Sequence, residues 1–563
     1  MGAQPDGVGE RDGGPPAPRW CLPAVVLAAV VGLALMTDTA WRISATYDEV
    51  TYLEIGATWW RTGEQARISR MGTPLSFWKL QQVPVLWLLD RVGRSELIDD
   101  PIGHQAELLP LVRVGALWVW LAGLGLTAWW SRRLYGPRAM ALSAWFFALG
   151  PNLLAHGSLV TMELPLLAAG TAVFLCFWRF LTSGRPRDFW LAAGLAGLAF
   201  SCKFTAVLLP PILGLAWWVQ EVREGRRGPV AAALTVARGM AGFVLVMVLA
   251  DLVVTGFAVL PLSARPGQGH PSLPAQWAGG LTRAVETPVP QDWVGFANQM
   301  LRQKTGGASY LLGERRTLGW WYYYFVALAV KVPLTFGVVF LVRCGAAARE
   351  RWPARDSLIP IAIAAFLLAT ALGSSRNYGL RYLLPLAPLA IVWVSALAER
   401  PDWLRFVAWA GLLGPAVAVA ATHPDELTYF NALAGGRAGG RAVLADSNLD
   451  WGQGLKALAR LQRSRPELAD LTTYYFGNTE PWRYGVAGTC HVVDAGGLRP
   501  ALPATFSAAT PFVAVSASLQ YGPWGPAGYF QSLEGVRPYA WTDDTTLAVY
   551  WTADIPGFDR PGQ

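Results

Sequence analysis

Long apolar runs separated by short polar turns dominate the chain as far as residue 421. They lie near residues 20–36, 110–130, 139–154, 163–181, 188–202, 204–220, 239–262, 320–342, 357–372, 380–398 and 403–421. A helix rises about 1.5 Å per residue, so runs of this length approach the roughly 30 Å of a bilayer's hydrocarbon core. The pattern predicts a polytopic α-helical membrane protein with about eleven transmembrane helices. Two runs, 188–202 and 204–220, meet at Ser201-Cys202-Lys203-Phe204 with almost no loop. Such a pair suits helices that meet inside a cavity below the membrane surface.

Beyond residue 421 the pattern changes. Short β-like runs (LTTYYFG, PFVAVSAS, TTLAVYWTAD) alternate with one clear helical stretch near 452–463. This predicts a small C-terminal α/β domain over 423–563, after a transmembrane domain over 20–422 with long loops at 37–109 and 263–319. Residues 1–19, rich in Gly, Pro and charge, read as a disordered tail.

The connecting segments sort by charge. SRRLYGPR (131–138), RFLTSGRPRD (179–188), EVREGRR (221–227), RCGAAARERWPARD (343–356) and ERPDWLR (399–405) carry most short-loop arginines and fall on one side. The positive-inside rule makes that side, and the N-terminus, cytoplasmic. The loop after the first span, the segment around His156, the 263–319 loop, residues 373–379 and the C-terminal domain then lie outside a plasma membrane.

Composition agrees with this picture. Of 563 residues 53% are hydrophobic and only 15% charged, against about 25% for a soluble chain. The net charge of +8 is no nucleic-acid signal, because the basic residues sit between apolar spans. The five cysteines are scattered, so no disulfide framework is expected. No HxH or HExxH spacing marks a zinc site.

Candidate chemistry starts at TYDEVTYLEIGATWWRTG (46–63), just after the first span. Thr46 followed three residues later by Glu49 is a capping box, so a helix should begin here with Asp48, Tyr52, Ile55 and Trp59 on one face. Both acids can simply favour a helix start. Alternatively Asp48 is an ionised carboxylate presented to a bound hydroxyl, as a catalytic base would be. A second amphipathic stretch, 73–90, should lie along the membrane surface.

Polar residues at membrane depth need a reason. Glu163 is either a helix cap or a second acid on the side of Asp48, and His156 is a satisfied interfacial histidine or a ligand. Lys203 either snorkels to water or holds a phosphate. Arg376 and Arg381, in SSRNYGLRYLLPLAP, either anchor a span or make a forked phosphate clamp. Lys79 is an interfacial lysine or a further cation. Lys331 and Asp251 should lie at similar depth and could pair. Two acids and several cations around one outward cavity match the electrostatics of a lipid-linked phosphate.

The motifs YDEVTYLEIG, NLLAHGSLVTMELP, CKFTAVLLPP, YYYFVALAVKVPL, NYGLRYLLPLAP and HPDELTYFNALAGG with LADSNLDWGQGL occur in order between about 40 and 480. In these the chain resembles the protein O-mannosyltransferase-like branch of the glycosyltransferase C superfamily, related also to lipid A aminoarabinose transferases. The resemblance implies transfer of a sugar, mannose-like or related, from a polyprenyl-phosphate donor to a hydroxyl of a protein, lipid or glycan acceptor on the outer face of the membrane. It implies Asp48 as base or acceptor-binding acid, Glu49 as its support and Glu163 as the further loop acid. Lys203, Arg376 and Arg381, with Lys331 and Lys79, become candidates for the donor phosphate. The LADSNLDWGQGL segment, with Asp446, Asn448 and Asp450, is either a structural turn or part of an acceptor cleft. Attack opposite the phosphate would invert the anomeric centre. Two acids on one cavity admit a divalent metal, although no spacing demands one. A transporter or flippase of lipid-linked substrates would use the same charged cavity, but no inverted repeat is visible.

Overall fold

The computed structural model describes residues 18–64, 76–261, 288–349, 357–494, 502–543 and 545–558. Most of the expected tail, and parts of the loops 37–109 and 263–319, lie outside these residues.

Among the described residues seven helices are long and apolar enough to cross a membrane: Cys21–Arg42, Gln105–Leu134, Glu163–Ser183, Phe204–Arg223, Pro229–Val254, Leu380–Glu399 and Leu404–Thr422. A bent pair, Tyr323–Lys331 with Leu334–Ala348, makes an eighth if counted as one span. The chain is an integral membrane protein. The expected eleven exceeds this because several apolar runs give shorter helices. Residues 139–154 break into Pro137–Ala148 and Pro151–Gly157, since a proline cannot continue the preceding helix. Pro186–Cys202 and Leu358–Gly373 are helices of 17 and 16 residues, shorter than those seven. The 113° bend at Val332-Pro333 has the same origin: Pro333 lacks an N–H and forces Val332 into an extended conformation.

One end of the bundle gathers the first residues of several helices. Glu163 opens the helix Glu163–Ser183, whose other end lies roughly 30 Å away at 1.5 Å per residue. Arg381 likewise lies near the start of the segment that runs to Glu399. At the far end Glu399 accepts from the Arg138 backbone N–H at 2.6 Å, and Gln220 donates to the Leu181 carbonyl at 2.9 Å. The arginine-rich turns 131–138, 179–188, 221–227 and 399–405 therefore share the end away from Glu163 and Arg381.

The helix Tyr47–Thr62 forms as its sequence requires. The Glu49 carboxylate accepts from the Thr46 N–H at 3.0 Å, and Gly63 closes the helix at φ +69. In the amphipathic stretch 73–90 the described residues form two helices, Ser76–Gln81 and Val83–Arg91.

Residues 471–551 supply a five-stranded mixed sheet in the order Cys490–Val493, Leu471–Phe476, Phe512–Ser516, Leu547–Trp551, Ala540–Trp541. The first three strands are parallel and the last three antiparallel to their neighbours. The second strand in that order, Leu471–Phe476, is buried along its whole length. The expected helix near 452–463 is Leu455–Ser464. Its apolar face (Leu455, Leu458, Ala459) packs in one cluster with Leu53 and Ile55 of the Tyr47–Thr62 helix and Leu471 and Tyr475 of the sheet. The sheet is thus seated directly on the helix that carries Asp48.

Candidate functional site

Asp48 and Glu49 are adjacent in sequence and opposite in fate. Glu49 is fully buried against Arg113, whose guanidinium donates from Nη2 at 2.6 Å and from Nε at 2.9 Å. The same carboxylate accepts from the Val160 N–H at 2.9 Å. Arg113 in turn donates to the carbonyls of Ala40, Ile43 and Ser44. Burial alone would raise the Glu49 pKa, but Arg113 and the backbone donors hold it below its ordinary value. Every strong hydrogen-bonding direction of the pair is used, which a buried charge pair requires. Glu49 is therefore not a reactive acid. It locks the exit of the first span to the second span and to the loop at 160. Arg113 was invisible to sequence reasoning because it interrupts an apolar run without a motif around it.

Asp48 faces the other way. Its Oδ2 accepts from Arg381 Nη1 at 2.9 Å. Arg381 is also 3.9 Å from Glu163, which accepts from Lys203 Nζ at 2.7 Å. The four side chains make an alternating row of acid and cation, Asp48–Arg381–Glu163–Lys203. Exposure separates the acids: the side chain of Asp48 is 25% exposed, that of Glu163 2% and that of Glu49 0%. Only Asp48 of the three is open to an incoming hydroxyl. Glu163 is a second acid of the site, as expected, but a sealed one that holds two cations.

The neighbouring aromatics fix this row. Arg381 stacks on the Trp451 ring at 4.2 Å, and Lys203 lies over the Tyr382 ring at 4.4 Å. Gly379, at φ +135, turns the chain into Leu380 and Arg381 and lies so close to Ser447 that a Cβ there would collide with its hydroxyl. His156 is buried, approaches Trp451 edge-on at 6.3 Å, and is surrounded by the charges of Glu163, Arg381, Lys331 and Lys203. Its Nδ1 has no hydrogen-bond partner among the described residues.

The other predicted cations divide. Arg376 is partly buried and donates from Nε to the Tyr378 hydroxyl at 3.0 Å. Arg302, on the helix Gln291–Thr305, faces it. Burial and the like charge of Arg376 hold the Arg302 guanidinium below its usual pKa. Arg302 escaped the sequence reading because it sits in a polar helix with no motif. Lys79 donates to the Val254 carbonyl at the end of Pro229–Val254, outside the row. Lys331 is removed as a phosphate ligand: it is buried and donates to the carbonyls of Leu427 and Asn448, each at 2.7 Å. The expected Asp251–Lys331 pair is also absent. Asp251 accepts from Ser201 at 2.5 Å and interacts with Asp292 instead, because the break at Pro333 turns Lys331 toward the 423–448 segment.

The LADSNLDWGQGL segment is a strap across the site. Asn448 Oδ1 accepts from the Leu380 N–H at 3.0 Å, beside Arg381. Asp450 Oδ2 accepts from the Ser518 N–H at 3.0 Å. The Trp451 carbonyl accepts from the Tyr47 N–H at 2.7 Å. Asn448 and Asp450 are thus structural, holding Arg381, the sheet and the Asp48 helix in register. Asp446 differs. It adopts φ +58, and burial pushes its carboxyl up to about 6. Among the described residues no three His, Cys, Asp or Glu side chains converge as metal ligands do.

Residues 106–249 match the family described as dolichyl-phosphate-mannose-protein mannosyltransferase. NLLAHGSLVTMELP and CKFTAVLLPP lie inside that match, and it bears out the resemblance drawn from them. A comparison with curated protein sequences gives no match. Among solved structures the chain is similar to ArnT from Cupriavidus metallidurans bound to undecaprenyl phosphate, at 15% identity over 94% of this chain and 97% of that one, with a TM-score of 0.46. It is also similar to the archaeal oligosaccharyltransferase AglB from Archaeoglobus fulgidus in complex with an inhibitory peptide and a dolichol-phosphate, at 13% identity over 94% of this chain and 74% of that one, with a TM-score of 0.42.

Proposed function

We propose that this protein is a membrane glycosyltransferase that moves a sugar from a polyprenyl-phosphate donor to an acceptor hydroxyl at the end of the bundle where Asp48 lies. The observation that carries this reading is the contrast among three acids. Asp48 is one-quarter exposed beside a cation row, while Glu49 and Glu163 are sealed by Arg113 and Lys203.

In this account the donor phosphate lies near Arg376 and Arg302, with its lipid tail beside the spans. Lys203 and Arg381 are each engaged by a carboxylate. When the phosphate draws Arg381 toward itself, the Asp48 carboxylate is released to accept the acceptor's proton. The acceptor oxygen then attacks the anomeric carbon, the bond from that carbon to the phosphate oxygen breaks, and the lipid phosphate leaves with the electron pair. One displacement inverts the anomeric centre. The cations offset the charge on the leaving phosphate. The donor is a mannose-like hexose or a related sugar, and the acceptor a protein, lipid or glycan.

The segregation of the arginine-rich turns at the opposite end supports a topology with the N-terminus cytoplasmic and the site and sheet outside. Incubating the purified protein in lipid discs with a panel of polyprenyl-phosphate sugars and an envelope extract tests the reading. Release of lipid phosphate with covalent sugar transfer is expected. Movement of lipid-linked sugar across a vesicle without covalent product would favour the transporter alternative and overturn it.

A further inference from the structure

Four aromatic rings from distant parts of the chain form a continuous wall at the site. Tyr47, the residue before Asp48, stacks on Phe476 at 5.4 Å and 7°. Phe476 stacks on Trp524 at 5.6 Å and 12°. Trp524 meets Tyr378 at 5.9 Å and 45°. Tyr378 is the residue whose hydroxyl accepts from Arg376. The wall therefore runs from the neighbour of the candidate base to the candidate phosphate cation, the stretch that separates acceptor from leaving phosphate in the proposed reaction. Phe476 is sealed inside the wall, whereas Trp524 and Tyr378 stay partly exposed.

A carboxylate stands against this wall. Asp446 Oδ2 accepts from Trp524 Nε1 at 2.9 Å and Oδ1 from the Ser447 N–H at 2.5 Å. Arg381 and Asp48 are among the charges that act on it. Each carboxylate oxygen has two acceptor positions, so these bonds do not exhaust the carboxylate, although the residue is only 7% exposed. Asp446 holds its left-handed backbone conformation although it is not glycine, which the surrounding contacts must enforce. The indole N–H both orients the carboxylate and fixes the ring.

We infer that Trp524 and Asp446, supported by Tyr378 and Phe476, form a binding subsite for a pyranose ring, the indole meeting its apolar C–H face and the carboxylate accepting from its hydroxyls. Chemistry decides the ligand class. A pyranose combines an apolar C–H face with a rim of hydroxyl donors, and an aromatic face beside a hydrogen-bond acceptor is complementary to both. The inference rests on the glycosyltransferase reading for its placement of the donor, and gives the outer sheet a part in choosing the sugar.

Binding to the full-length protein in lipid discs tests it, with three probes: a short-chain polyprenyl phosphate, the same lipid carrying a neutral hexose, and an uncharged alkyl hexopyranoside. The wild type is compared with Trp524→Phe, which keeps an aromatic ring but loses the N–H, and with Asp446→Asn. Both variants are expected to weaken the two hexose-bearing probes about tenfold and leave the bare lipid phosphate unchanged, with thermal stability retained. Equal loss of all three probes, or no loss of the hexose-bearing ones, would overturn the subsite. Loss confined to the alkyl hexopyranoside, with neither phosphate probe bound by the wild type, would uphold the subsite and remove the lipid-phosphate donor instead.

Discussion

Arg381 Nη1 lies 2.9 Å from Asp48 Oδ2, joining residues 333 positions apart in the chain. The contact ties the helix that follows the first span to the turn that opens a late one. It gives the exposed acid of the site a partner that a phosphate can compete for. If that competition triggers proton acceptance, Arg381→Lys should lower turnover more than donor affinity, because a lysine cannot lay a planar guanidinium on Trp451 while one nitrogen reaches Asp48. Parallel measurement of kcat and donor Kd checks this. An equal loss in both would assign Arg381 to simple binding.

The Glu49–Arg113 pair predicts an asymmetry in stability. Removing one partner leaves a buried charge with no counter-ion, a loss of about 3–5 kcal/mol. Arg113→Met should therefore lower the thermal midpoint in detergent sharply, while the double variant Glu49→Gln, Arg113→Met recovers part of the loss. Donor specificity should not change in whatever fraction folds.

Arg376 and Lys331 separate a phosphate ligand from a structural lysine. Arg376→Ala should weaken bare polyprenyl phosphate about tenfold without a stability cost. Lys331→Met should leave that affinity unchanged and destabilise the fold by about 1–3 kcal/mol for each buried carbonyl left unpaired. Titration of the lipid phosphate alongside thermal unfolding distinguishes the two.

His423 predicts a pH dependence. Its Nδ1 lies 2.8 Å from Glu426 and its Nε2 2.9 Å from Asp38, clasping the end of the first span to the 423–428 segment. The Glu426 hydrogen bond, reinforced by Asp38, raises the imidazole pKa above its ordinary value. The gain belongs to the protonated form. It is fully present below the unfolded pKa of about 6.5 and is lost as pH rises through the higher folded value. The difference in thermal midpoint between wild type and His423→Gln should be largest near about pH 5.5 and vanish by about pH 9. A difference that grows toward alkaline pH would contradict the clasp.

Local signals carried the reading of the sequence a long way. Thr46 and Glu49 announced the Asp48 helix, because a capping box needs only four consecutive residues. Lys203 stood out because its position between two apolar runs is visible without knowing their packing. What remained hidden depends on distant chain segments meeting. Asp48 and Glu49 read in the sequence as a base and its support; the partner that engages Glu49, Arg113, lies 64 positions away. Asp251 was matched with Lys331 by depth, yet a proline-induced bend sends the lysine to other carbonyls and leaves Asp251 to Ser201 and Asp292. Trp524 carried no motif, since its significance comes from stacking on Phe476 and bonding Asp446. Eleven apolar runs give seven or eight helices that are long and apolar enough to cross a membrane among the described residues, because hydrophobicity records burial in a bundle as readily as contact with lipid, and helices such as Pro137–Ala148 are buried but short.

The central claim is that Asp48 accepts the acceptor's proton during sugar transfer. Single-turnover release of lipid phosphate from a polyprenyl-phosphate hexose, in the presence of acceptor, tests it most directly in wild type and Asp48→Asn. The variant is expected to insert normally, bind the donor within about threefold of wild type and release lipid phosphate at least about 100-fold more slowly. Release at an undiminished rate by a correctly folded Asp48→Asn protein would contradict it.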